Sequence, residues 1–570
     1  MPVRNVLFIM CDQLRWDYLS CYNKSGLQTP NIDALASRGV RYDRSYVQSP
    51  ICGASRMSTY TGRYVHAHGA SWNFVPLKAG EMTIGDHLRP LGVKSVLIGK
   101  THMKADAYGM ARLGIDPTSR IGVRISECGF DPFERDDGLH PYSGHEPNPP
   151  YNDFVRSQGL DAENPWEEYA NAADGDNDEL LSGWFLKYAD RPARVPDPLS
   201  ETPYITGRAM DFIDEAISNN PDQPWVAHVS YIKPHWPYIV PEPYASMYGP
   251  KDVPAANRSE AERHNAHPVY NEFMERRVSR NFSRDEVRDK VIPAYMGLIK
   301  QIDDQMGRLF NHLEERGIAD QTMIIFTSDH GDYLGDHWLG EKELFHDESV
   351  RVPLIIHDPS PSADATRGTV NNDLVEAIDI APTLLNLYGG AAVPHILDGH
   401  SLMDTLTGNR KSDPRRYVIS EYDYSYVEPR QNLDMPSREC WLRMVFDGRF
   451  KYVHCERFRP MLYDLQEDPN ELQDLGADSN YADVCARLHE ALFEWARTPR
   501  QRSTISDGLI ESTNITDKIT EAGILIGFWD EAELEEALVN EMGPRMSNAN
   551  PIVAPTLNKL LRRTQTDDKQ

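Results

Sequence analysis

The chain has 570 residues, 40% of them hydrophobic and 26% charged, with a formal net charge of −28. Such a length predicts about two to four domains, and such a composition a water-soluble globular protein. The acidity excludes nucleic acid and anionic membrane as partners, so an anionic substrate would need a basic pocket set into an acidic body.

The opening segment, MPVRNVLFIMCDQ, has an apolar run too short for a signal peptide or an anchor. Asn5 to Met10 reads as the first buried strand. Thr29-Pro30-Asn31 opens a helix that Gly39 closes. Ser95–Ile98 and Val226–Ser230 read as further strands. A long helix runs from about Val291 to Arg316, with Gly317 as its cap and Thr322–Thr327 as the next strand. Short apolar runs alternating with helical patterns predict an α/β fold, a mostly parallel sheet with helices on both faces. Between about 130 and 197 the composition turns to Asp, Glu, Asn, Pro and Gly, which reads as a loop insertion over the site. From about Arg416 the strand-like runs Tyr417–Ser420, Trp441–Phe446 and Phe450–His454 precede a helix near Tyr481–Arg497. These predict a catalytic domain over 1–415 and a small α+β domain with an antiparallel sheet over 416–570. The last 70 residues read as a polar arm exchanged between subunits. The seven cysteines lack the spacing of a disulfide framework, and a cytoplasmic location is the expectation.

Ligands of open α/β sheets bind at the carboxyl ends of the strands. Those ends carry Asp12-Gln13, Gly99-Lys100-Thr101-His102, Lys233-Pro234-His235 and Ser328-Asp329-His330-Gly331-Asp332. Any one of them fits a solubilising strand terminus; four together point to a site. Asp12, Gln13, Asp329 and His330 suit a hard divalent ion such as Ca²⁺ or Mg²⁺, with the imidazole tilting toward Mn²⁺. Cys52 stands one helical turn before Arg56, and a helix N-terminus there would favour an anion. The His66/His68 pair reads as structural.

These residues, with Ser49–Arg63, Lys233–Pro237 and Tyr295–Lys342, resemble the type I sulfatases and phosphonate monoester hydrolases of the alkaline phosphatase superfamily. The likeness continues through Arg351–Ile355, Ile378–Leu385, Asp398–Leu402 and Lys451–Leu475. It implies an alkaline-phosphatase-like fold and a single divalent ion, Mn²⁺ or Ca²⁺, on Asp12, Gln13, Asp329, His330 and the converted Cys52. It further implies that a maturase converts Cys52 to formylglycine, whose hydrate attacks a small anionic ester and leaves a covalent hemiacetal ester. Arg56 would hold that nucleophile, Lys100 and the ion would neutralise ester oxygens, and His102 would trigger collapse of the hemiacetal. His235 and Lys342 would serve as general acids, and Asn73 and Thr101 would contact substrate. The family and the terminal arm together imply a homodimer or homotetramer.

Two departures stand out. Ala54 occupies the place where the maturation motif usually has proline. Asp12-Gln13 with Asp329-His330 resembles the phosphonate hydrolases and choline sulfatases, whereas Lys100 and His102 resemble the sulfatase pattern. Sulfate monoesters, phosphonate monoesters and phosphodiesters all carry one negative charge, so one site can accept all three. Sulfate ester hydrolysis ranks first and phosphonate monoester or phosphodiester hydrolysis second. A metal-containing binding protein with unconverted Cys52 and a two-metal phosphatase are the readings from other classes.

Overall fold

The computed structural model describes residues 3–22, 25–139, 148–409, 414–512, 527, 529–530 and 532–533. Its central sheet has eight strands: β1 (Asn5–Asp12), β2 (Val40–Tyr42), β3 (Lys94–Gly99), β4 (Asp131–Arg135), β5 (Trp225–Pro234), β6 (Thr322–Ser328), β7 (Leu354–His357) and β8 (Thr369–Asn371). They lie in the order β8-β2-β7-β6-β1-β5-β3-β4, and β7 alone runs against its neighbours. Every residue of β1 and β5 is buried, including the polar His228 and Ser230 of β5.

Helices α1 (Pro30–Arg38), α2 (Cys52–Thr61), α3 (Glu201–Asn219), α4 (Asp285–Glu315) and α5 (Ile380–Leu387) cover the sheet. Alternate residues of β1 serve opposite faces. Leu7, Ile9 and Cys11 pack with Phe212 of α3 and Ile299 and Ile302 of α4. On the other face Phe8 stacks on His228 of β5, whose Nε2 meets the Tyr60 hydroxyl of α2 at 2.8 Å. The long helix begins six residues before the expected Val291 and carries Pro293 inside.

The stretch from 130 to 197, whose composition predicts a loop insertion, holds regular elements among its described residues. It supplies edge strand β4 and buries Tyr151 and Trp166 in the main core. A short strand on the sheet edge needs few apolar side chains.

An antiparallel meander follows: β9 (Val418–Asp423), β10 (Trp441–Phe446), β11 (Phe450–Cys455) and β12 (Met461–Asp464), with α6 (Ala482–Arg497) packed on it. β12 is an addition to the three strands expected. Residues 1–392 with 397–498 form one compact unit, and 393–396 with 499–570 form a second, which includes the short helix Asp507–Glu511. Most of the expected subunit-exchanging arm lies outside the described residues. No helix among those described is long and apolar enough to cross a membrane.

Candidate active site

The carboxyl ends of β1, β3, β5 and β6 bring Asp12, Gln13, Lys100, His235, Asp329 and His330 together, and the first turn of α2 aims Cys52 into them. Two of these turns are unusual backbone. Gln13, directly after β1, and His102, three residues after β3, adopt left-handed conformations, at φ 66° and 55°. Gly99 turns at φ 109° so close to β5 that a Cβ would lie 2.0 Å from the Ser230 carbonyl oxygen, so only glycine can lead into Lys100.

Cys52 is the first residue of α2 and buried. Its Sγ lies 3.1 Å from His330 Nε2, 3.1 Å from Lys342 Nζ and 3.8 Å from Asp12 Oδ1. One atom each from Asp12, Cys52, Asp329 and His330 falls within a 4.8 Å cluster. His330 donates from Nδ1 to the Gly331 carbonyl at 2.9 Å, which leaves the Nε2 lone pair facing the cluster. Lys342 also donates to Gln13 Oε1 at 3.2 Å, which brings that amide oxygen to the same place. Two carboxylates, an amide oxygen and an oriented imidazole fit a hard divalent ion, with Cys52 beside it.

Arg56 lies one turn behind Cys52, fully buried. It donates to Asp329 Oδ2 at 2.7 Å, Asp12 Oδ2 at 3.2 Å, Ser230 Oγ at 2.7 Å and the Lys100 carbonyl at 3.0 Å. Its donors thus clamp the two carboxylates rather than the Cys52 side chain. Lys100 pairs with Asp12 Oδ2 at 2.6 Å. Burial opposes ionisation of Asp12, but Lys100, His235 and Arg56 hold its carboxyl well below the usual range. Arg56 and Lys100 thus converge on the two carboxylates, and Lys342 approaches from the side of Cys52.

His102 neighbours Cys52 and keeps Nδ1 buried without a hydrogen-bond partner among the described residues; burial lowers its pKa, and neighbouring Lys100 lowers it further. His235 donates from Nδ1 to the Trp236 carbonyl at 2.7 Å and turns Nε2 toward Asp12, 4.0 Å away. Burial, then Lys342 and Lys100, push its pKa well down despite Asp12. Burial works against charge on Lys342, yet Cys52 and Asp12 hold its pKa above the ordinary value. Asn73 Oδ1 accepts from the Gly53 amide at 2.8 Å, capping the helix that bears Cys52. Thr101, expected among the substrate contacts, instead gives its hydroxyl to Glu127 Oε2 at 3.0 Å.

Sequence reasoning passed over the supporting residues. Asp137 Oδ1 accepts the amides of Thr101 and His102, both at 3.1 Å, and so holds the strained turn. Tyr238 and Asp332 accept from Gln13 Nε2 at 3.1 and 2.5 Å. The signal for Asp332 was its place two residues after His330; Asp137 gave none. His66 and His68 serve structure, on Glu421 and Ser58.

A sulfatase family model matches residues 4–390, and one described as N-sulphoglucosamine sulphohydrolase, C-terminal, matches residues 335–498. The multifunctional alkaline phosphatase superfamily protein PehA of Trinickia caryophylli is 31% identical over 527 residues, covering 88% of this chain and 97% of its own length. An arylsulfatase of Clostridium perfringens is 26% identical over 505 residues, covering 86% and 94%. The crystal structure of the phosphonate monoester hydrolase of Agrobacterium radiobacter matches with a TM-score of 0.74 at 29% identity, covering 90% of this chain and 98% of its own. The mixed sheet, the small antiparallel sheet behind it and the matched length agree: the chain belongs to the sulfatase family of hydrolases, within the alkaline phosphatase superfamily.

Proposed function

We propose that the protein hydrolyses monoanionic sulfate esters at Cys52 after a maturase has converted that residue to formylglycine, and that phosphonate monoesters and phosphodiesters share the site. The observation that carries this reading is the position of Cys52. It sits at a helix N-terminus, between His330 Nε2 and Lys342 Nζ, each at 3.1 Å. Asp12, Gln13, Asp329 and His330 would hold one Mn²⁺ or Ca²⁺ ion, which when bound supplies Lewis-acid stabilisation of charge on the ester oxygens. The converted Cys52 supplies an oxygen nucleophile that cysteine lacks.

The chain's own side chains do the rest. Arg56 keeps both carboxylates in place. Lys100 lies where charge develops on the non-bridging oxygens. Lys342, kept protonated by Asp12, donates to the leaving oxygen. His102, held neutral by burial and by Lys100, accepts a proton from the neighbouring residue-52 side chain. His235 is oriented by the Trp236 carbonyl and presents Nε2 on the same side as Asp12.

Phosphonate monoester hydrolysis as the main activity is the second reading. Gln13 in the ligand set and the likeness to a phosphonate monoester hydrolase favour it; Lys100 and His102 favour sulfate. Paired kcat/KM values on an aryl sulfate and an aryl phosphonate, with matured protein supplied with Mn²⁺ or Ca²⁺, decide between them. The first reading predicts a higher value on sulfate with measurable phosphonate turnover. A higher value on phosphonate reverses the order, and no turnover of either refutes the hydrolase reading.

A further inference from the structure

The ester's charged end has a defined destination, because every cation and ligand of the site is buried. The alcohol it carries must therefore project toward the rim. On the side of Cys52 that rim begins at Asn73, whose Oδ1 holds the Gly53 amide and whose Cα would lie 3.0 Å from a Cβ on Gly53. The next residue is Phe74, 68% exposed, with its Cα about 3.8 Å farther along the chain.

Phe74 does not stand alone. Its ring meets Tyr426 edge-on at 6.5 Å, and Tyr426 is itself 52% exposed. Behind them Trp72 stacks on Tyr426 at 5.5 Å and on buried Tyr422 at 5.8 Å. Four rings thus run from Tyr422 of β9 out to solvent, with Phe74 one residue along the chain from Asn73. Both carriers are fixed. The Trp72 carbonyl accepts from the Val75 amide at 3.0 Å, and Ser71 Oγ donates to Asp423 Oδ2 at 2.9 Å. Asp423 Oδ1 also accepts from the Ser425 amide at 3.1 Å. Two large exposed rings leave apolar faces in water, which costs free energy unless a ligand covers them.

We infer that Phe74 and Tyr426, backed by Trp72, form the leaving-group subsite, and that it receives the planar ring of an aromatic alcohol. This rests on the ester-hydrolase reading above. An aryl ring gains stacking and apolar burial there, while a short alkyl chain reaches too little of either face. Phe74 and Tyr426 therefore set specificity and take no part in bond making.

The test compares an aryl sulfate with a short alkyl sulfate in the wild type and in Phe74→Ala, Tyr426→Ala and the double variant. Both side chains are exposed, so truncation leaves the core intact. Each single change should lower kcat/KM for the aryl ester by about three- to tenfold relative to the alkyl ester, mainly through KM. Tyr426→Phe, which keeps the ring, should restore the aryl preference. Equal losses on both esters, or none on either, would overturn the subsite. Calorimetric binding of phenyl sulfate and methyl sulfate to full-length Cys52→Ala reads the same subsite without turnover. Tighter phenyl sulfate binding that Phe74→Ala abolishes supports it even if the wild type hydrolyses neither ester, and equal binding of the two overturns it.

Discussion

Arg56 shows how much of the site is devoted to holding charge in place. Its guanidinium reaches two carboxylates, a hydroxyl and a carbonyl from four different strand ends, a geometry that needs a planar fork. Lysine offers a single ammonium and cannot span these partners. Arg56→Lys is expected to weaken retention of the divalent ion by about 10- to 100-fold, read as metal content after chelator competition on folded protein. Unchanged retention would mean that the carboxylates hold their positions unaided. Residues that follow a strand directly, such as Asp12, Lys100 and Asp329, were legible because strand ends mark ligand positions. Ser230 was not. Its role comes from lying opposite both Met10 and Gly99 in the parallel register, and nothing in its own neighbourhood encodes that pairing.

Among the elements, the segment from 331 to 346 delivers Lys342 to Cys52 without being helix or strand over most of its length. Leu334, His337, Trp338, Glu341 and Glu343 all take positive φ, so the segment depends on side-chain anchors rather than on backbone preference. The central anchor is His337, buried between Glu262 Oε1 at 2.7 Å and Glu348 Oε2 at 3.2 Å and stacked on His346 at 4.0 Å. Burial would lower its pKa, but Glu348 and Glu262 raise it to about 10 from 6.5. The folded value lies above the unfolded one, so this stabilisation is whole below about pH 6.5 and is lost as pH climbs through about 10. His337→Gln should cost about 3–5 kcal/mol near neutrality, with the gap to wild type closing toward pH 10 in melting curves. A gap independent of pH would contradict a charged imidazole. No periodicity marks such a segment. The same limit applies to α4, whose polar first turns, DEVRDK, hid its start, and to β4, whose Asp-Pro-Phe-Glu-Arg reads as loop.

At the scale of the molecule the two sheets share the site. Lys451 of β11 donates to the Phe345 carbonyl at 2.9 Å and pairs with Asp347 and Glu471, each at 2.7 Å, just beyond Lys342. Asp423 and Tyr426, at the end of β9, complete the rim. The antiparallel runs were readable one by one, but their place against the catalytic loops follows from long-range packing that no local pattern carries. Net charge acts at this scale too. A body of −28 repels an anionic ester at long range, while the buried cations act only at contact. Raising ionic strength from about 0.01 M to about 0.15 M shortens the Debye length from about 30 Å to about 8 Å. The kcat/KM for a monoanionic ester should therefore rise modestly with salt, and a fall would mean that the pocket's field outweighs the body's.

The proposed chemistry turns on what Cys52 becomes, with Ala54 standing in its maturation motif. The most direct measurement is the intact mass of the tryptic peptide Ser45–Arg56, from active protein made alongside a formylglycine-generating maturase. A peptide lighter by the conversion of thiol to aldehyde, and reactive toward a hydrazine reagent, is the predicted result. An unmodified cysteine in fully active protein would contradict the mechanism.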